Sequence, residues 1–328
     1  MGSVGFTTSI PIEVLYAAGK TPVDLNNRFI THPTPLEWVR EAERRGFPRT
    51  CCAWVKGIYA VARTLGLEEV IAVVHGDCSN SQALMEVLGM EGVRVYPFAY
   101  PHDRSRSAMR AELEKLCRHY GVEEAAVAEA KRGLDRIREK LVAIDRATWE
   151  HCRVTGAENH RFLVDSTDMR GDPRAFEQDL DRFLDTAAAR PPCAPQVRLG
   201  YLGVPPIYAD LYSRIEQGGV RVVYNEIQRQ FSMPHLCADI VEQYLRYTYP
   251  YDIFARLEDI KEEIRRRRID GVLHYVQAFC FRGIEDKIVR ASLDVPVLTV
   301  EGDTPEPLDE RTRLRIEAFV EMLARERH

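Results

Sequence analysis

The chain is poor in the features that most often announce a function. No two of its eight cysteines are spaced Cys-x-x-Cys, which removes the usual zinc-finger arrangements. No Gly-x-Gly-x-x-Gly run follows a strand-like segment, so a dinucleotide has no visible phosphate cradle. Gly19-Lys20-Thr21 resembles the end of a nucleotide-binding loop, but the glycine required five positions earlier is Val14. Basic residues are in deficit, with 45 Lys plus Arg against 50 Asp plus Glu and a net charge of -5. Duplex nucleic acid would demand the opposite balance. No apolar run reaches the roughly 20 residues of a spanning helix, and the opening residues lack the basic and apolar regions of a signal peptide. The expectation is a cytoplasmic protein with neither a membrane nor a nucleic-acid partner. In that compartment thiols stay reduced, so each cysteine needs its own explanation.

What is present is the grammar of a parallel sheet. Short apolar runs at Val4–Ile10, Pro22–Leu25, Val70–Gly76 and Val93–Tyr100 alternate with helical patterns near Pro35–Arg44, Cys52–Leu65, Ser79–Leu88 and Ser105–His119. A charged helical pattern over Glu123–Ile144 follows, and then a segment ending in Pro191-Pro192 and Pro195 that reads as helices closed by a linker. Strand-like runs resume at Val197–Val204, Val220–Asn225, Gly271–Gln277 and Val295–Glu301, with helices near Ile207–Gln217, Ile253–Arg268, Ile284–Leu293 and Leu308–Arg325. The fold class is therefore α/β: two Rossmann-like, flavodoxin-like parallel-sheet domains related by internal duplication and joined by a helical segment. The expected boundaries are 1–122, 123–194 and 195–328.

The two domains share a plan. Each opens with a strand running into proline, at Thr8-Ser9-Ile10-Pro11 and at Gly203-Val204-Pro205-Pro206, and a second strand then ends near Asn26 or Asn225. Later in each, an apolar strand runs into a cysteine and a helix: Val70–Asp77 into Cys78, and Gly271–Ala278 into Cys280. Open parallel sheets bind ligands beyond the carboxyl ends of their strands, so both sulfurs sit where a ligand is expected.

A third thiol opens a helix in Cys51-Cys52-Ala53-Trp54, with Cys51 and Cys52 as adjacent rivals. Taken singly, each would read as a core thiol. Three at helix starts, two of them in matching positions, suit a metal–sulfide cluster, because amides and the helix dipole favour thiolate there. Cys117 and Cys193 read as structural, Cys152 near His151 and His160 lacks a second thiol at zinc-ligand spacing, and Cys237 is a reserve ligand. Glu226 and Gln228 after one strand, and His274 and Gln277 on another, are candidates for contacting substrate or supporting ligands; buried hydrogen-bonded side chains would explain them equally. Lys56, one turn beyond Cys52, would offset thiolate charge or lie on the surface.

Four runs carry a specific resemblance: Phe6-Thr7-Thr8-Ser9-Ile10-Pro11, Gly76-Asp77-Cys78-Ser79-Asn80, Asn225 to Pro234, and His274 to Cys280. They resemble the 2-hydroxyacyl-CoA dehydratase and benzoyl-CoA reductase superfamily, and within it the double-cubane cluster proteins. The resemblance implies Cys52, Cys78 and Cys280 as ligands of an iron–sulfur cluster, favouring an 8Fe-9S double cubane in a homodimer over a 4Fe-4S cluster. It implies electrons from a separate ATP-hydrolysing iron–sulfur activator and a low-potential reduction of a small molecule. The alternatives are a subunit of an (R)-2-hydroxyacyl-CoA dehydratase and a non-catalytic cluster carrier.

Overall fold

The computed structural model describes residues 2–326, so Met1 and the expected second domain's Arg327 and His328 lie outside it. Among the described residues, eight strands form two four-stranded sheets. The first contains β1 (Ser3–Phe6), β2 (Thr21–Asp24), β3 (Glu69–His75) and β4 (Val95–Ala99) in the order β2-β1-β3-β4. The second contains β5 (Val197–Leu202), β6 (Val220–Asn225), β7 (Gly271–Gln277) and β8 (Val297–Gly302) in the order β6-β5-β7-β8. Every pairing is parallel. The two orders are the same once the strands of each sheet are numbered from its own first, as duplicated Rossmann-like domains require.

The chain divides into two compact units. Unit 1 comprises Met1–Glu139, Asp165–Glu177 and Met233–Asp252; unit 2 comprises Lys140–Val164, Gln178–Ser232 and Ile253–His328. Each unit thus contains one sheet, and the helical stretch between the sheets is apportioned to both.

In unit 1, β1 is shorter than its apolar run. It stops at Phe6, and Thr7 continues the pairing in another way: its amide donates to the Ile71 carbonyl, and its Oγ1 accepts from Val73 N at 3.0 Å. That frees Thr8 to Pro11 to form the loop beyond the strand. β2 ends at Asp24, whose carboxylate caps the helix Leu25–Ile30 by accepting from the Asn26 and Asn27 amides. Ser105 caps Arg106–Tyr120, which ends at Gly121 in the left-handed conformation at φ 64°, the usual helix stop. Beside β1, the wholly buried Glu13 pairs with Arg138 at 2.8 Å and accepts from Tyr244 OH at 2.8 Å.

In unit 2, β7 is buried at every position, as a central parallel strand covered on both faces must be. Leu202, Val223, Leu257, Ile260, Val272 and Val289 form its core, each such side chain stabilising the fold by about 1.5–3 kcal/mol. Arg267 ties the helix Ile253–Arg267 to the rest of the unit: it donates to Asp145 through both terminal nitrogens, to Glu263 through Nε, and to the Val223 carbonyl. The helix expected over Ile207–Gln217 is confined to Leu211–Ile215. The preceding Pro205-Pro206 supplies no amide donors to a helical turn, and Ile207 N donates instead to Tyr275 OH.

One buried carboxyl pair makes unit 1 sensitive to pH. Asp168 Oδ2 accepts from Asp24 N at 2.9 Å and its Oδ1 from Arg170 N, while Tyr16 OH donates to the Asp168 carbonyl. Burial, and then the neighbouring Asp24 carboxylate, push the Asp168 carboxyl up to about 7 from 3.8; the Asp24 and Arg170 amides and, less, Arg28 oppose this. A carboxyl raised in this way stabilises the folded chain fully below about pH 4, and the contribution is lost as pH climbs through the folded value. Wild-type stability minus that of Asp168→Asn should therefore fall between pH 4 and 7 in urea unfolding; a difference that rises or stays flat contradicts the assignment.

Candidate cluster and substrate site

Cys78 follows β3 through Gly76-Asp77 and is the N-cap of the helix Ser79–Met90. Gly76 takes φ 95°, and a Cβ there would meet Tyr100 and Pro250 within 3.0 Å, so the turn that delivers the thiol requires glycine. The Cys78 sulfur lies 4.0 Å from Ser81 Oγ, and that hydroxyl donates to Asp77 Oδ2 at 3.0 Å. Cys52 is buried and is the N-cap of the helix Ala53–Thr64. The helices headed by Cys52 and Cys78 pack against each other within unit 1.

Cys280 belongs to unit 2. It follows β7 through Ala278-Phe279, with its amide donating to the Gln277 carbonyl at 3.1 Å, and lies two residues ahead of the helix Arg282–Ser292. Phe279 makes the bend at φ 63°, a conformation that a bulky residue rarely adopts and that costs about 1–3 kcal/mol. Phe279, Phe281 and Ile284, around this thiol, are all exposed.

The polar candidates of unit 2 sort themselves by their partners. Glu226 is 1% exposed and bound through both oxygens by Arg256, at 2.8 and 3.0 Å, and it also accepts from Gly203 N. Burial opposes its charge, but Arg256 outweighs that and holds the carboxyl below its ordinary value. Arg256 reaches on to Glu285 at 2.7 Å, which Arg282 also contacts. The helix that begins after Cys280 is thereby pinned to the end of β6. Arg256 is the important residue that the sequence did not single out; it sits in an ordinary charged helical pattern, and no local signal marks it.

His274 is buried on β7, its Nδ1 donating to Asp286 at 2.7 Å, and Thr299 donates to the same oxygen. Although burial opposes it, these two bonds keep the Asp286 carboxyl below its usual range. Gln277 is fully engaged, accepting from Tyr275 OH and donating to the Asp303 carbonyl. Gln228 differs: it is 0% exposed, and neither its Nε2 nor its Oε1 has a hydrogen-bond partner among the described residues. In unit 1, Lys56 is buried, bonded to Glu43 at 2.7 Å and to the Arg49 carbonyl at 3.1 Å.

The remaining thiols have other surroundings. Burial raises the Cys51, Cys117, Cys152 and Cys237 thiols above their ordinary value. Cys117 lines a cavity of about 490 Å³ with Leu113, Lys131 and Ile240. Cys152 receives Arg198 Nη1 at 3.6 Å, Cys237 donates to the His235 carbonyl, and Cys193 is exposed. His160, near Cys152 in sequence, contacts Tyr212 OH, and burial lowers it to about 4. Among the described residues, no group of three or more His, Cys, Asp or Glu is arranged to hold a metal ion. Nor is any described helix long and apolar enough to cross a membrane.

Two four-stranded parallel sheets of one order, with a cysteine-bearing turn after the third strand of each, define a duplicated α/β protein. Residues 7–323 match the family model described as 2-hydroxyglutaryl-CoA dehydratase, D-component, and the chain belongs to that family. No curated protein matches the chain.

Removing Arg256 would strand a buried carboxylate. Arg256→Met should cost about 3–5 kcal/mol near neutral pH. The deficit should shrink in acid, where Glu226 takes up a proton. Urea unfolding at pH 7 and pH 4 checks both; equal losses at the two values would show that Glu226 does not depend on Arg256 for its charge.

Proposed function

We propose that the chain is the cluster-bearing component of a 2-hydroxyacyl-CoA dehydratase and that Cys52, Cys78 and Cys280 are the thiolates that hold a [4Fe-4S] cluster. One observation carries the reading: in both units the third strand of the sheet runs directly into a cysteine at a helix start, in a chain of the D-component family. Family members typically bind iron–sulfur clusters. The donor set fits such a group, since soft thiolates suit iron–sulfide chemistry and the amides at helix starts can donate to sulfur. The family description favours this dehydratase reading over the low-potential double-cubane reductase. That second reading rests on the resemblance of the four sequence runs, and it would use the same three thiolates in a homodimer.

When bound, the cluster would supply one-electron reduction and Lewis acidity toward the substrate. The protein's own residues do the rest. The two glycine and phenylalanine bends, at Gly76 and Phe279, fix where the thiols emerge. Asp286 orients the His274 ring through Nδ1. Glu226, neutralised by Arg256, braces the Cys280 helix and takes no part as a base. ATP hydrolysis would belong to a separate activator, as the family implies.

Protein purified without oxygen should contain iron and acid-labile sulfide and should dehydrate an (R)-2-hydroxyacyl-CoA when supplied with a reduced activator and ATP. Cys78→Ala and Cys280→Ala should lose most of the iron while Cys117→Ala keeps it. Comparison of Cys51→Ala with Cys52→Ala identifies the third ligand. Equal iron in all variants ends the ligand assignment. A homodimer with more sulfide than iron, reducing small molecules without dehydrating thioesters, would establish the double-cubane reading instead.

A further inference from the structure

The polar side chains at the carboxyl end of the second sheet are almost all committed to one another. Glu226 is taken by Arg256, Asn225 donates to Asn159 and accepts from Tyr212, Arg229 and Gln230 both bond Asp259, and Gln277 is held by Tyr275 and Asp303. Gln228 stands among them on the helix Glu226–Phe231, completely buried, with donor and acceptor both unspent. A buried amide without partners carries its full desolvation penalty, so nothing in the folded chain itself rewards a glutamine at this position. An isosteric apolar residue would pack there at less cost. A polar side chain held in such a place is suited to a partner that the folded chain does not itself supply.

We propose that the Gln228 carboxamide recognises the substrate's acyl head, donating from Nε2 to a carbonyl oxygen and accepting at Oε1 from a hydroxyl on the adjacent carbon. This rests on the dehydratase reading above and names the recognition element within it. Both ends of the amide are orphaned together, which matches a head carrying an acceptor and a donor on neighbouring carbons. A cluster sulfide would engage the donor alone. Neither atom touches solvent, so the helix Glu226–Phe231, only six residues long, must shift or the side chain must turn for the ligand to reach it. No covalent step is assigned to Gln228.

The test uses full-length, cluster-loaded protein and two probes, 2-hydroxyglutaryl-CoA and glutaryl-CoA, which differ by the hydroxyl. Wild type should bind the hydroxy thioester about tenfold or more tightly, since a site built to hydrogen-bond a hydroxyl discriminates against its absence. Gln228→Met should erase that preference, retain its iron, and unfold at a temperature equal to or a few degrees above wild type. Gln228→Glu, which keeps the acceptor and loses the donor, should retain part of the preference. A Gln228→Met protein that still discriminates as wild type does, or that melts well below it, overturns the proposal while leaving the dehydratase reading intact. Wild type that carries no iron and binds neither thioester shows that the dehydratase reading is at fault, and the assignment of Gln228 falls with it.

Discussion

A wholly parallel sheet covered on both faces has no surface to spare for chemistry. Its strands are buried along their length, as β7 is at every position, and each must hand the chain to a helix before the next can begin. Functional side chains are left with the short turns between strand end and helix start. Both units obey this constraint, and it explains why residues so far apart in sequence as Cys78 and Cys280 occupy the same topological place. The turns themselves are specialised: one uses a glycine at positive φ, and the other forces a phenylalanine into that region.

Holding such turns still requires interactions stronger than surface packing. Unit 2 uses charge to do so. Arg256 gathers Glu226 from the end of β6 and Glu285 from the helix after Cys280, and Arg267 gathers Asp145, Glu263 and the Val223 carbonyl. Buried ion pairs of this kind contribute little net stability compared with apolar residues of similar shape, but breaking one partner is costly. Their effect is to forbid alternative arrangements of the helices they join. Unit 1 follows the same plan on a smaller scale, with Glu13 fixed by Arg138, Tyr244 and Gln243.

Much of this was legible in the sequence because it depends on local pattern. All eight strands lie within or beside apolar runs, and the helix Pro35–Arg44 has the bounds its periodicity gives. Errors arose where a side chain substitutes for backbone pairing: Thr7 ends β1 early, and Asp24 turns the segment after β2 into a helix instead of more strand. At the candidate site, the cysteines at helix starts could be read from residue order alone. Their supports could not, because Arg256 becomes special only when the folded chain brings it to Glu226. Lys56 shows the converse: a lysine on a helical pattern carries no sign that it is buried against Glu43. Gln228 was visible as a candidate among several, but its lack of partners is a property of the packed structure.

Gly203 restricts the turn after β5 to a single residue type. Its φ of 100° would strain any other residue, and a Cβ would stand 2.1 Å from the Tyr275 carbonyl oxygen, closer than any rotamer change could relieve. A side chain at this position would push the turn after β5 away from β7, so the spacing between the two is set by the lack of one.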